Sequence, residues 1–291
     1  MKVERVGDLR LALGEGPVWH RAEQALYMVD SVSQQVLRVD PANGSVRRWM
    51  LDSFVGSLAL TDRGRFILAM GSGIHLFDPV TGALEFIADP EAEDPVTQLN
   101  DGKTDRAGRF LVGSVATDMK SETCGLYSVE RGRVTKLDGG FGLTNGPCFS
   151  PDDRTFYFAD SRPQRIYAYD YDLVSGALGP RRSFCDTAAL GGIPDGATVD
   201  TQGRLWSGIC GGGVVGCWRS DGTLERTVAI PTALVSSVMF GGPDLNTLYV
   251  TSIDPARVPF LPGGEDDGEA GSLYVVTGLD AQGLPEPLYV E

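Results

Sequence analysis

The stretch SPDDRTFYFAD at residues 150–160, a polar turn followed by a β-prone run, recurs with variations along the whole chain. Equivalent runs are ALYMVD from Ala25, RFILAM from Arg65, RFLVGS from Arg109, RLWSGI from Arg204 and TLYVTS from Thr247. They begin roughly 40 to 50 residues apart, and each is followed by further short strand-like segments. Six repeats of three or four short strands are typical of a β-propeller. The sequence therefore predicts an all-β, six-bladed β-propeller with a central channel, as one domain over residues 1–291.

The segment around Val3 to Leu13 precedes the first repeat and has no blade of its own. We expect it to close the ring by pairing with strands from the C-terminal end, which leaves no exposed sheet edge. No amphipathic helical window separates the strands, which argues against a βαβ fold.

Composition narrows the functional class. The 291 residues carry 25 basic and 39 acidic side chains, a net charge of −14, and no basic stripe, which argues against nucleic acid as a partner. No apolar stretch is long enough for a membrane span, and the N-terminus MKVERVGDLR is charged where a secretory signal is apolar. The five cysteines form no CxxC pair. We expect a reduced, cytoplasmic setting and no obligate protein partner.

Matching positions in different repeats carry oxygen-bearing side chains. Counting back from the hydrophobic run of each repeat reaches Glu15, Asn100, Asn145 and Asp195, whereas the other two repeats have small residues near Gly56 and Ser236 or Ser237. The innermost strand of each blade lines the channel, so these side chains are expected to converge there. Two carboxylates and two amides suit a hard divalent cation, with Ca²⁺ favoured and Mg²⁺, Mn²⁺, Zn²⁺ or Fe²⁺ as alternatives.

A structural explanation of these residues stays open, because Asx-Gly and Glu-Gly pairs are common turn formers. Glu15, Asn145 and Asp195 each precede a glycine. A tight turn at those glycines would also direct the three side chains toward one axis.

The motifs GEGPVW, NDGKTD, TNGPCFSPD and PDGATVDTQGRLW together resemble the gluconolactonase, regucalcin (senescence marker protein) and luciferin-regenerating enzyme family. The resemblance covers nearly the whole chain and implies a six-bladed propeller, in agreement with the repeats. It also implies one divalent metal ion held by Glu15, Asn145 and Asp195, with Asn100 contacting substrate nearby. Many family members hydrolyse aldonolactones, so the expected substrate is a small sugar lactone.

The chain departs from sugar-lactonase relatives two residues before the NDG motif, where Gln98 stands in place of their Arg. Gln98 can hydrogen-bond a sugar hydroxyl but supplies no charge and no bidentate fork. The ring size of the lactone, the physiological metal and the oligomeric state are left open by the sequence.

The predicted reaction is metal-assisted opening of the lactone, with Asp195 as general base. Gln98 and Asn100 would orient ring hydroxyls, and Asp118 and Glu122 are further candidates for substrate contact above the channel. One alternative is a phosphotriesterase on the same metal site, which an apolar pocket would favour over a polyol-binding one. Another is a calcium-binding propeller without enzymatic activity.

Overall fold

Short antiparallel β-sheets account for nearly all the regular structure of residues 1–258 and 268–291, which the computed structural model describes. Blade 1 comprises β2 (Gly14–His20), β3 (Ala25–Asp30), β4 (Gln35–Asp40) and β5 (Ser45–Met50). Blade 2 comprises β6 (Val55–Leu60), β7 (Phe66–Met70), β8 (Gly73–Phe77) and β9 (Leu84–Ala88). Blade 3 comprises β10 (Thr97–Thr104), β11 (Phe110–Ala116), β12 (Cys124–Glu130) and β13 (Arg133–Phe141). Blade 4 comprises β14 (Thr144–Phe149), β15 (Thr155–Asp160), β16 (Arg165–Asp172), β17 (Ala177–Leu178) and β18 (Arg182–Asp186). Blade 5 comprises β19 (Ile193–Val199), β20 (Leu205–Cys210), β21 (Val214–Trp218) and β22 (Leu224–Ala229). Blade 6 comprises β23 (Val235–Gly241), β24 (Thr247–Ser252), β25 (Ser272–Thr277) and the N-terminal β1 (Lys2–Arg10). The six-bladed propeller predicted from the repeats is confirmed.

The blades form a closed ring. The innermost strands β2, β6, β10, β14, β19 and β23 each pack against those of the neighbouring blades, and β23 packs back against β2. The N-terminal strand β1 is the outermost strand of the last blade and pairs antiparallel with β25, from Lys2 opposite Thr277 onward. The expectation that the N-terminal segment closes the ring is therefore confirmed.

The recurring β-prone runs form the second strand of each blade, where both faces are covered by neighbouring sheets. In TFYFAD, for example, Phe156 and Phe158 are fully buried between blades 3 and 4, beside Phe141. Aromatic and branched side chains fit such a half-buried pleated surface, and burying each one stabilises the fold by roughly 1.5–3 kcal/mol. The same runs that identify the repeat therefore supply the core between blades.

The polar turn before each run has its own stabilising chemistry. In DTQGR, Asp200 accepts hydrogen bonds from the backbone N–H groups of Gln202 and Arg204 and, 2.7 Å away, from Arg204 Nε. Asp105 and Arg109 repeat the arrangement in DRAGR. The carboxylate replaces the backbone partners that a tight turn leaves unpaired, which explains why a polar turn is compatible with a buried strand.

The only helical segments in the described part of the chain are two single 3-10 turns, Ala188–Leu190 and Pro255–Arg257. Within that part, no helix is long and apolar enough to cross a membrane.

Candidate functional site

Each innermost strand contains a one-residue bulge at an equivalent point. The pairing register with the second strand shifts by one immediately after this point in all six blades. Aligned through that register, the equivalent residues are Glu15, Gly56, Asn100, Asn145, Asp195 and Ser236. A bulge bends a strand and redirects its side chains. The register therefore matches the positions predicted from the repeat.

Four of these six residues face one cavity. Glu15, Asn100, Asn145 and Asp195 line it together with Gln98, and its volume is about 190 Å³. Glu15, Asn145 and Asp195 are buried, whereas Gln98 and Asn100 are partly exposed. The structure thus brings together five of the seven residues that the sequence nominated for metal or substrate binding.

The glycines that follow Glu15, Asn145 and Asp195 permit this convergence, by two different routes. Gly16 and Gly146 have φ of +50° and +57°, a region that side chains with a Cβ rarely adopt. At Gly196 the requirement is close approach, because a Cβ there would collide with the Ser237 hydroxyl. In blade 2, a Cβ on Gly56 would lie 2.6 Å from Asn100 Cα. The small residue in that blade therefore leaves room for the strand carrying Asn100.

Two backbone carbonyls fix the orientation of the Asn145 amide. Asn100 Nδ2 donates to the Thr144 carbonyl at 2.8 Å and to Asn145 Oδ1 at 3.0 Å. Asn145 Nδ2 donates to Ser161 Oγ at 2.9 Å, and Ser161 Oγ donates to the Pro194 carbonyl at 2.6 Å. A carbonyl can only accept a hydrogen bond, so each donor in the network has a single consistent assignment. Asn145 Oδ1 therefore keeps a lone pair for a ligand.

The surroundings of the cavity carboxyls Glu15 and Asp195 disfavour their charged forms. Burial, followed by the negative charges of Asp195 and Asp101, raises the pKa of the Glu15 carboxyl well above its ordinary value. Burial and the charge of Asp101 likewise raise the pKa of Asp195 well above its ordinary value. Within residues 1–258 and 268–291, neither Glu15 nor Asp195 forms an ion pair with Lys or Arg. Buried carboxylates without a cation are costly, and a bound cation removes that cost.

The donor set fits a divalent cation. In the described residues, no three His, Cys, Asp or Glu side chains could hold a metal ion by themselves. Two carboxylates and one oriented amide oxygen, from Glu15, Asp195 and Asn145, are hard oxygen donors of the kind that Ca²⁺, Mg²⁺ and Mn²⁺ prefer. The third donor is the amide of Asn145, so the proposed ligand set is not made up of acidic residues alone.

The structure does not bring Asp118 and Glu122 to the cavity. Both side chains are exposed, and Asp118 is engaged by its own loop, accepting hydrogen bonds from the N–H groups of Lys120 and Ser121 and from the Ser121 hydroxyl. The Ser121 hydroxyl and these N–H groups lower the pKa of Asp118 to about 2. The loop contributes Thr117 and Met119 to the cavity wall instead.

Asp101 is a functional candidate that sequence reasoning missed. Its carboxylate accepts from Gly146 N at 2.9 Å and from Gly102 N at 2.8 Å, so it holds the turn that follows Asn145. Burial raises the pKa of Asp101 to about 6. The available signal was its place in LNDGKTD, where an acid directly follows the channel residue.

Comparisons with known proteins agree with this architecture. Residues 13–254 match the family model described as SMP-30/Gluconolactonase/LRE-like region. The chain is 37% identical over 286 residues to a pentonolactonase of Haloferax volcanii, covering 97% of this chain and 92% of the relative. It is 32% identical to regucalcin of Gallus gallus, covering 98% and 97% of the two chains.

Solved structures agree as well. A luciferin-regenerating enzyme superposes with a TM-score of 0.93 at 28% identity, covering 100% of this chain and 99% of the other. A regucalcin of Agrobacterium tumefaciens, described as a calcium-binding protein, gives 0.91 at 26% identity, with 98% and 96% covered. The resemblance noted in the sequence motifs is therefore confirmed. The chain belongs to the SMP-30/gluconolactonase/LRE-like family.

Proposed function

We propose that the protein is a metal-dependent lactonase that opens a small lactone, of the aldonolactone type, to its hydroxy acid. The observation that carries the proposal is the set of two buried, cation-free carboxylates beside an oriented amide oxygen, open to a cavity of about 190 Å³. Relatives named pentonolactonase and gluconolactonase support the reaction class, and the regucalcins support a divalent ion, with Ca²⁺ favoured.

Glu15, Asn145 and Asp195 would hold the ion. A divalent cation in such a site supplies a Lewis acid that polarises the lactone carbonyl and lowers the pKa of a neighbouring water. Neighbouring side chains would orient the substrate. Asn100 uses both amide hydrogens on Thr144 and Asn145, so it can offer substrate only its oxygen as an acceptor.

Asp195 is the proposed general base. Its carboxylate would take the proton of the attacking water as the new C–O bond forms at the carbonyl carbon. When the ring C–O bond breaks, the same proton would pass to the departing ring oxygen, which becomes the hydroxyl of the product. Within the described residues, no His lines the cavity to compete for this role.

A phosphotriesterase is the second candidate, and one observation favours it. Most of the side chains around the cavity are apolar, among them Leu13, Phe54, Leu143, Ile193 and Ile253. Such a wall favours an apolar phosphotriester over a polyol. The lactonase proposal takes precedence because relatives with matching chains carry lactonase names.

The two candidates separate in one experiment. Metal-stripped protein is reloaded with Ca²⁺, Mn²⁺, Mg²⁺, Zn²⁺ or Fe²⁺ and assayed with a pH indicator against a panel of γ- and δ-lactones and against an aryl phosphotriester. We expect turnover of lactones that exceeds turnover of the phosphotriester in kcat/KM. Turnover of the phosphotriester alone would replace the lactonase by the second candidate. Tight metal binding with no turnover of either class would leave the calcium-binding role.

A further inference from the structure

The mouth of the cavity is formed by one residue from each blade. The residue two positions before each channel residue is partly exposed, whereas the residue between them is buried, in all six blades. This ring, called the mouth ring below, consists of Leu13, Phe54, Gln98, Leu143, Ile193 and Leu234. All but Leu234 line the cavity directly, and Leu234 bridges to the cavity residue Cys210. Five of the six members are apolar.

The apolar surface continues along the strands that flank the ring. Ile253 pairs with Leu13, and Val115 lies opposite both Leu143 and Gln98. Ile253, Val115 and Met119 all line the cavity. A lactone seated against the carboxylates therefore meets hydrocarbon around most of its outer edge.

Among the described residues that line the cavity at the level of the mouth ring, the polar side chains belong to blade 3. Thr117 donates its hydroxyl to the Val96 carbonyl at 3.1 Å. Gln98 carries the polar side chain of the ring, and its Oε1 faces Gly71, where a Cβ would lie 3.3 Å from it. In the part of the chain that the structure describes, no charged side chain lines the mouth, and the carboxylates lie two positions deeper along the strands.

This distribution sets a selection rule for the substituent on the ring carbon beside the lactone oxygen. In a γ-lactone this carbon is C4, which is bonded to the ring oxygen but not to the carbonyl carbon. When the carbonyl faces the carboxylates, the substituent on C4 therefore points toward the mouth. A terminal hydroxyl placed there loses water and meets mostly hydrocarbon, which is unfavourable. A methyl group in the same place buries apolar surface, which is favourable.

Resting on the proposed lactonase function, we propose that the mouth ring selects deoxygenated lactones. The substrate class is an aldono-γ-lactone whose exocyclic chain ends in a methyl group, with Gln98 hydrogen-bonding one hydroxyl. The fully hydroxylated counterpart is the disfavoured substrate. Gln98 agrees with this rule, because a neutral amide fits an uncharged, sparsely hydroxylated edge.

Matched pairs of lactones test the rule on the metal-loaded, full-length protein. L-Fucono-γ-lactone and L-galactono-γ-lactone differ only in the terminal hydroxyl, as do L-rhamnono-γ-lactone and L-mannono-γ-lactone. Because an apolar pocket rejects an added hydroxyl by up to about 100-fold, we expect kcat/KM to favour the deoxy member by roughly 10- to 100-fold. Equal rates, or preference for the hydroxylated member, would overturn the rule while leaving the lactonase intact. Turnover of none of the four, nor of any simpler γ-lactone, would remove the lactonase itself.

Variants of the apolar cavity lining give a second readout. Ile193→Thr and Ile253→Thr each replace an ethyl group by a hydroxyl, and we expect each to lower the deoxy preference by several-fold. Val80→Thr makes the same kind of change at a residue that is 85% exposed and far from the cavity lining, and serves as the control. The rule fails if the two lining variants keep the wild-type ratio, or if Val80→Thr changes it as much. The ratio of kcat/KM for deoxy and hydroxylated lactones is measured on the wild-type protein. The test therefore stays decisive even if one variant folds poorly.

Discussion

Ser161→Ala should weaken metal binding although Ser161 does not itself line the cavity. Its hydroxyl accepts from Asn145 Nδ2 at 2.9 Å and donates to the Pro194 carbonyl at 2.6 Å, and the residue is completely buried. It therefore ties the amide of Asn145 to the strand that carries Asp195. Without the hydroxyl, Asn145 Nδ2 loses its Ser161 acceptor. The contact from Asn100 Nδ2 to Oδ1 remains, but the amide rotates more freely and the direction of Oδ1 is less well fixed.

Two magnitudes follow from this geometry. Loss of a group that orients a metal ligand weakens metal affinity by roughly 10- to 100-fold. The buried Nδ2 and carbonyl left without partners destabilise the fold by about 1–3 kcal/mol. A purely structural role for Ser161 would give the second effect without the first.

Isothermal titration of the stripped protein with Ca²⁺ or Mn²⁺ measures the affinity, and urea unfolding of the same sample measures the stability. Ser252→Ala is the matched control, since Ser252 is equally buried and donates to the Ser272 carbonyl at 2.7 Å in blade 6. We expect Ser252→Ala to lose stability and keep affinity. Unchanged affinity in Ser161→Ala, at either metal, would refute the orientation argument.

The remaining predictions concern packing, pH and a buried ion pair. Gly196→Ala places a Cβ against the Ser237 hydroxyl, and we expect a loss of about 1–3 kcal/mol in urea unfolding that Ser237→Gly partly restores; no restoration would contradict the collision. The metal-free protein should lose stability as pH rises, because buried carboxyls with raised pKa hold more protons folded than unfolded. Asp101 alone, whose pKa is about 6 against an ordinary 3.8, accounts for a loss of stability on the order of 3 kcal/mol between pH 3.5 and 7. A melting temperature that rises over this range, measured in the presence of a chelator, would refute the assignment. Arg204→Ala leaves the fully buried Asp200 carboxylate without its cation and should cost at least about 3 kcal/mol in chemical unfolding, whereas the exposed pair partner Arg165→Ala should cost less than about 1 kcal/mol; equal costs would contradict the role of burial.

The fold could be predicted because the propeller repeats its signal six times. The run TFYFAD and its five counterparts carry both the β-prone residues and the preceding polar turn, so an error in one repeat is corrected by the others. The position of β1 could also be predicted, since a propeller without it would leave the edge of β25 unpaired. Both inferences depend on local pattern and ring closure, which are properties of sequence order.

The candidate site could be predicted only where the repeat placed it. Glu15, Asn145 and Asp195 occupy equivalent bulges, so counting along the repeat was sufficient to align them. Asp101 and Ser161 act through contacts between blades, with Gly146 and Pro194 respectively. Such contacts have no spacing rule along the chain, which is why the sequence did not reveal them.

The loop after β11 holds Asp118 and Glu122 outside the cavity lining. A charged side chain in a short loop satisfies the backbone of the loop first, as the bonds from Lys120 N and Ser121 to Asp118 illustrate. The apolar mouth ring could not be predicted from the sequence, because its members belong to six separate blades and are ordinary strand residues by sequence.

One divalent ion, held by Glu15, Asn145 and Asp195, is proposed to support lactone opening. The most direct measurement titrates metal-stripped protein with a divalent metal while γ-lactone hydrolysis is followed, in the wild type and in Asp195→Asn. We predict that wild-type turnover rises from background and saturates at one ion per chain, and that Asp195→Asn stays near background at every metal concentration. Full turnover by the stripped wild type, or wild-type rates in Asp195→Asn, would contradict this role of the ion and of Asp195.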